Sequence, residues 1–126
     1  MPDDAERNKE VVKRLVADTI NEWRMEELDG FFTPEAASRA RKDFESFKRA
    51  FPDWQMEIKE LIAEGDTVVA RFKCHGTHLG PWQGDEPTGK VMAVDEVFFF
   101  RFDRGHIREM WALEDTWTRM RQLGLR

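Results

Sequence analysis

A chain of 126 residues with 40% hydrophobic and 36% charged residues suits one water-soluble globule, and excludes both a disordered and a membrane-spanning chain. The formal charge is −5 (20 basic against 25 acidic residues), and the basic residues form no run, which argues against a nucleic-acid partner. A single cysteine, Cys74, precludes an intrachain disulfide and a cysteine-pair zinc site.

The opening MPDDAERNKE is acidic and polar where a secretory leader needs a basic start and an apolar run, so a cytoplasmic protein is expected. From Asp4 to Trp23, the residues Val12, Leu15, Val16, Ile20 and Trp23 recur at three- and four-residue spacing, the stripe of an amphipathic helix that covers a sheet. Asp3 or Asp4 is positioned to cap its free amides. A short helix is expected over Met25 to Phe32. A third, from Pro34 to Phe51, carries Phe44, Phe47 and Phe51 on one side and is stopped by Pro52.

Beyond Pro52 the pattern changes. Trp54 to Ala63 and Thr67 to Thr77 read as strands joined by a tight turn at Glu64-Gly65-Asp66. Residues 76 to 89 form a loop rich in Gly and Pro whose Trp82 is suited to act as an aromatic lid. Lys90 to Phe102 and His106 to Asp115 are a strand pair around Asp103-Arg104-Gly105, and Thr116 to Leu123 is helix-compatible up to Gly124. Helices followed by about four antiparallel strands define an α+β single domain over residues 1–126, with helices on one face of a curved sheet. Side chains alternate along strands, so Val68, Ala70, Phe72 and Cys74 share the buried face.

Glu96 breaks that alternation. It falls among Met92, Val94, Phe98, Phe100 and Phe102 on an apolar face, where lost hydration raises a carboxyl pKa toward the range of general acid–base work. The competing explanations are a Glu paired with an Arg or Lys reaching round the sheet edge, or a bulge turning it outward. Asp95 faces the other way with Lys73 and Arg101, as an ordinary solvated pair. His75, His78 and His106 have no metal-ligand spacing, so no metal is expected; His78 at the loop mouth is either a substrate or proton-transfer group or a solvated turn residue. No phosphate-cradling glycine motif and no nucleophile elbow occurs, so no cofactor is expected.

The stretch GTHLGPWQGDEPTGKVMAVDEVFFFRFDRGHIREMWALEDTWTRMRQLG resembles the SnoaL-like polyketide cyclases, or ester cyclases, with their GTHxGxxxGxPPTGK, FxxGKIxEHWDxxD and closing QLG segments. The EEL segment and the FPDW strand opening extend the resemblance over nearly the whole chain. It implies an NTF2-like (cystatin-like) cone enclosing a pocket, a homodimer or higher homo-oligomer, and a cofactor-free intramolecular aldol condensation of a polyketide ester. Ala112 and Phe98 stand at the positions of the family's basic Asp and assisting His, and Met110 replaces a further His; His78 and Asp115 match the pattern.

Two functions follow. In the first, Glu96, assisted by His78, is the general base of a carbon-acid enzyme (cyclase, isomerase or dehydratase type) whose substrate, a small apolar and polyketide-like carbonyl compound, is held by Phe72, Cys74, Trp82, Phe98, Met110 and Ala112. In the second, the cone is a receptacle that binds a small apolar molecule without turning it over. Val91, Ala93, Val97 and Phe99 on the outer face, with Trp111 nearby, supply an apolar stripe for association.

Overall fold

The computed structural model describes residues 4–125. The expected order of elements is observed, with shifts of a residue or two at most ends. Helix α1 spans Asp4–Arg14 and runs into a π-helical turn at Leu15–Ile20, so the stripe of Val12, Leu15, Val16 and Ile20 is buried although the helix is not regular throughout. The wider turn is closed by Asn21 N–H donating to the Val16 carbonyl at 3.0 Å. Asn21 is thereby placed to accept from the Met56 amide and to donate to the Met56 carbonyl, both at 2.9 Å. Asp4 pairs with Arg7 on the helix surface; Asp3 lies outside the described residues.

Met25–Gly30 is a short 3₁₀ helix where the sequence suggests a helix to Phe32. Helix α2, Pro34–Ala50, starts with Pro at its first turn, where no intrahelical N–H is needed. Ala36, Ala37 and Ala40 let it approach its neighbours closely, and Phe44 and Phe47 fill the space further along.

Strands β1 (Gln55–Glu64), β2 (Thr67–Thr77), β3 (Val91–Asp103) and β4 (His106–Glu114) pair antiparallel in the order β1-β2-β3-β4. Two bulges matter. One at Lys59 moves the inward set of β1 from Met56 and Ile58 to Leu61 and Ala63. The other, at Arg108, makes Ile107 oppose Phe102 and Met110 oppose Phe100, so Met110, Ala112 and Glu114 face inward while Trp111 and Leu113 face out. Helix α3, Thr116–Leu123, is capped by Asp115, which accepts from the Thr118 amide at 3.1 Å and the Thr118 hydroxyl at 2.7 Å. It ends where Gly124 takes a φ of 73°.

The core lies between the inner sheet face and the helices, with Trp54, Phe44, Phe51, Phe72 and Phe100 among its largest buried side chains. Helix α1 packs on β1 and β2, α2 on β4, and α3 along β3. Among the described residues no helix is long and apolar enough to cross a membrane.

Candidate active site

The loop after β2 is tied down at its base. His78 exchanges backbone hydrogen bonds with the other side of the loop, donating to Lys90 O at 2.9 Å and accepting from Gly89 N at 2.8 Å. The amides of Leu79 and Gly80 then donate to the Ala50 carbonyl, satisfying the open end of α2. Gly80 is obligatory there, because a Cβ would lie 2.0 Å from the Arg49 carbonyl oxygen. Trp82 and Asp85 exchange both backbone hydrogen bonds around Gln83 (φ 48°) and Gly84 (φ 88°), a two-residue turn with both central residues at positive φ. This turn lowers the Trp82 ring onto Phe47 (centroids 5.0 Å) and Phe51 (5.7 Å).

His78 is fully buried, which corrects the reading of it as a solvated turn residue. Its Nδ1 accepts from the Thr88 amide at 3.2 Å and lies 3.1 Å from the Thr88 hydroxyl, and its ring packs on Phe51 at 5.5 Å. It anchors the loop from inside, because a ring nitrogen accepting an amide N–H satisfies a buried donor that would otherwise be costly.

Glu96 points inward and is 1% exposed. The partner anticipated for it is present: Arg119 of α3, itself 0% exposed, donates through Nη2 to Glu96 Oε2 at 2.8 Å and through Nη1 to Glu114 Oε1 at 2.5 Å. One guanidinium therefore serves two carboxylates that are direct cross-strand neighbours. Its plane also sits over the rings of Phe47 (5.4 Å) and Trp82 (5.6 Å). The second Glu96 oxygen, Oε1, is buried without a hydrogen bond of normal length, and the weak thiol donor of Cys74 is its polar neighbour. Burial, reinforced by the charge of Glu114 and only partly opposed by Arg119, pushes the Glu96 carboxyl up to about 7. Burial and the neighbouring Glu96 likewise push the Cys74 thiol up, keeping it protonated and inert. Asp95 pairs with Lys73 at 2.8 Å on the outer face, as expected.

The proton on Glu96 has a consequence for stability. The folded chain holds it more tightly than the unfolded chain, so the contribution of this group is fully present below about pH 4.5 and is lost as pH rises through about 7. The lowered carboxyls of Asp53, Asp66, Asp95 and Asp115 act the other way at acid pH. The separation between 4.5 and about 7 corresponds to up to about 3 kcal/mol. Urea unfolding across this range is expected to show the decline in the wild type and a flatter curve in Glu96→Gln.

A cavity of about 300 Å³ opens beside this cluster. Phe44, Phe47, Trp82, Phe98, Met110 and Ala112 wall it, and Asp43, Ser46, Gln83 and Glu114 supply its polar groups. Of the residues named from the sequence, Trp82, Phe98, Met110 and Ala112 therefore meet in one place. Phe72 and Cys74 are fully buried below it; neither they nor Glu96 nor His78 is part of its lining. The sequence reading missed Asp43, Glu114 and Arg119. Asp43 carries a signal only in hindsight, as an exposed carboxylate beside Phe44 at the cavity edge of α2; its carboxyl is raised by burial and by Glu114. A larger groove, about 700 Å³, lies at the opposite end between α1 and the two hairpin turns, lined mostly by charged surface side chains. Among the described residues no group of three His, Cys, Asp or Glu side chains converges as a metal-binding set.

A helix-covered, four-stranded antiparallel cone with an aromatic cavity at one end is the architecture of the NTF2-like proteins. Its backbone superimposes on TsrD from Streptomyces laurentii with a TM-score of 0.89 at 23% identity, over 99% of this chain and 100% of that one. A proposed SnoaL-like polyketide cyclase from Jannaschia sp. CCS1 gives 0.89 at 21%, over 100% and 97%. AclR from Streptomyces galilaeus, a proposed hydroxylase, gives 0.85 at 27%, over 96% and 83%. The family model for SnoaL-like polyketide cyclases matches residues 10–123, and the chain belongs to that family. Comparison with curated proteins gives no match.

Proposed function

We propose that this chain is a cofactor-free acid–base enzyme that removes a proton next to the carbonyl of a small, largely apolar compound, with Glu96 as the base. The observation that carries this reading is the inward Glu96 carboxyl, which burial holds near half-protonation at neutral pH, where a group works equally as acid or base. The Glu96 carboxylate takes the proton as the substrate C–H bond breaks, the electron pair moves into the enolate, and the proton is returned or exchanged with solvent. Phe98, two residues along the same strand face and about 7 Å away, belongs to the cavity wall, so the body of the substrate lies one layer above Glu96 and its reacting C–H bond reaches down to the carboxylate. The Trp82 turn and Phe47 cover Arg119 and with it the route to Glu96; displacement of Trp82 admits the substrate. Phe72 and Cys74 support the floor from below, and His78 serves by holding the loop. The test is deuterium incorporation from D2O into a panel of aromatic β-keto esters and cyclic ketones, by the wild type and by Glu96→Gln.

A second reading, a binding protein without turnover, is favoured by Phe98 and Ala112, which occupy the family's His and Asp positions on the cavity wall and cannot move a proton. It expects a compound that binds and leaves unchanged. Either function is accompanied, in our reading, by self-association through the outer sheet face, where Val91 (65% exposed), Trp111 (52%) and Leu113 (62%) form an uncovered apolar stripe. Sedimentation is expected to give a dimer or larger oligomer, and a monomer independent of concentration overturns this.

A further inference from the structure

The cavity's side chains also bear on what kind of molecule enters it. Among the described residues its ionisable lining groups are Asp43 and Glu114, both acidic, and no Lys, Arg or His lines it. Arg119, which bonds Glu114 at the cavity edge, is already shared between Glu114 and Glu96. Counting Asp43, Glu96 and Glu114 against Arg119, the region stays net negative even when Glu96 holds its proton. The Asp43 carboxyl is raised first by burial and then by the charge of Glu114.

The rest of the wall is aromatic. Phe44, Phe47, Trp82 and Phe98 present rings, and the electron-rich faces of Phe47 and Trp82 already hold a guanidinium at 5.4 and 5.6 Å. The Trp82 indole N–H is buried without a hydrogen-bond acceptor in a residue that lines the cavity, so its signal reports on whatever displaces that ring. Carboxylates beside ring faces in a partly enclosed space are the chemistry of organic-cation recognition. An anion meets repulsion there, and a neutral molecule leaves Asp43 without a counter-charge and Glu114 with only its share of Arg119.

We propose that the natural ligand of this cavity is a small organic cation, an ammonium-bearing compound with an apolar body of about one ring, whose charged end lies between Asp43 and Glu114. This rests on the cavity being the ligand site, as in the function proposed above, but not on Glu96 being the base. On a substrate that also carries the carbonyl, the positive charge acidifies the neighbouring C–H bond.

The experiment is an NMR titration at pH 7, following the tryptophan indole N–H signals, with benzylamine (protonated at this pH), benzyl alcohol and benzoate. Benzylamine is expected to bind at least tenfold more tightly than benzyl alcohol, benzoate more weakly than either, and the preference to shrink with added salt. Asp43→Asn, an exposed isosteric change, is expected to bring benzylamine down to the affinity of the alcohol while leaving the alcohol unaffected; Glu114→Gln gives a second, independent variant. Equal or tighter binding of the alcohol or benzoate, binding of none of the three, or a preference that survives both variants overturns the proposal. Glu96-dependent exchange into neutral ketones alongside any of those results leaves the acid–base reading standing, so the two fail separately.

Discussion

Glu96→Gln is expected to lower the rate of deuterium exchange into a competent substrate by about two to four orders of magnitude, the usual contribution of a positioned general base. Gln keeps the shape of the side chain and an oxygen that accepts from Arg119, so the cluster and the cavity persist and ligand affinity should change little. What disappears is the group that takes the proton. In the wild type, exchange should rise with pH through about 7 as Glu96 ionises, and the residual rate of the variant should lack that step. A variant that binds normally and exchanges at the full rate removes Glu96 from the chemistry and leaves the binding protein as the better reading. A pH step at the same position in a fully active variant would assign the titration to another group.

Arg119→Met is expected to cost about 3–5 kcal/mol of stability at pH 8, because Met fills much the same space but leaves Glu96 and Glu114 without their shared cation in a buried setting. For a domain of this size that is a fall in Tm of roughly 10–20 °C. The cost should shrink at pH 5, where Glu96 takes up a proton and no longer needs a counter-charge. It should shrink also in the double variant with Glu96→Gln, in which only Glu114 loses its partner. Thermal and urea unfolding at the two pH values check both statements. A loss of less than about 1 kcal/mol at pH 8 would mean that the carboxylates are better hydrated than their burial indicates.

The fold was largely legible because its evidence is local. Val12, Leu15, Val16 and Ile20 announce a helix face by spacing, Val68 to Cys74 a buried strand face by alternation, and Pro34, Gly65, Gly105 and Gly124 mark where elements start or turn. What spacing did not reveal was the π-helical turn at Leu15–Ile20, since an extra residue in one turn alters the hydrogen bonds while sparing the apolar stripe. The solvated-turn alternative for His78 failed for a similar reason: a Gly- and Pro-rich neighbourhood looks exposed, and only the docking of the loop on the end of α2 buries the ring.

The amino-acid sequence by itself determined the α+β order of elements and that Glu96 faces the apolar side of its strand, because periodicity needs no long-range information. The SnoaL-like type came from matched motifs, and it is that resemblance which implies that Phe98 and Ala112 stand where the family has proton-carrying residues. Only the tertiary structure decided which polar groups surround Glu96. Arg119 reaches it across 23 positions from another element, Glu114 turns inward because of a bulge at Arg108, and Asp43 joins Glu114 on the cavity lining from a helix. Each juxtaposition depends on how elements dock and where a ladder slips by one residue, and neither leaves a mark in local spacing.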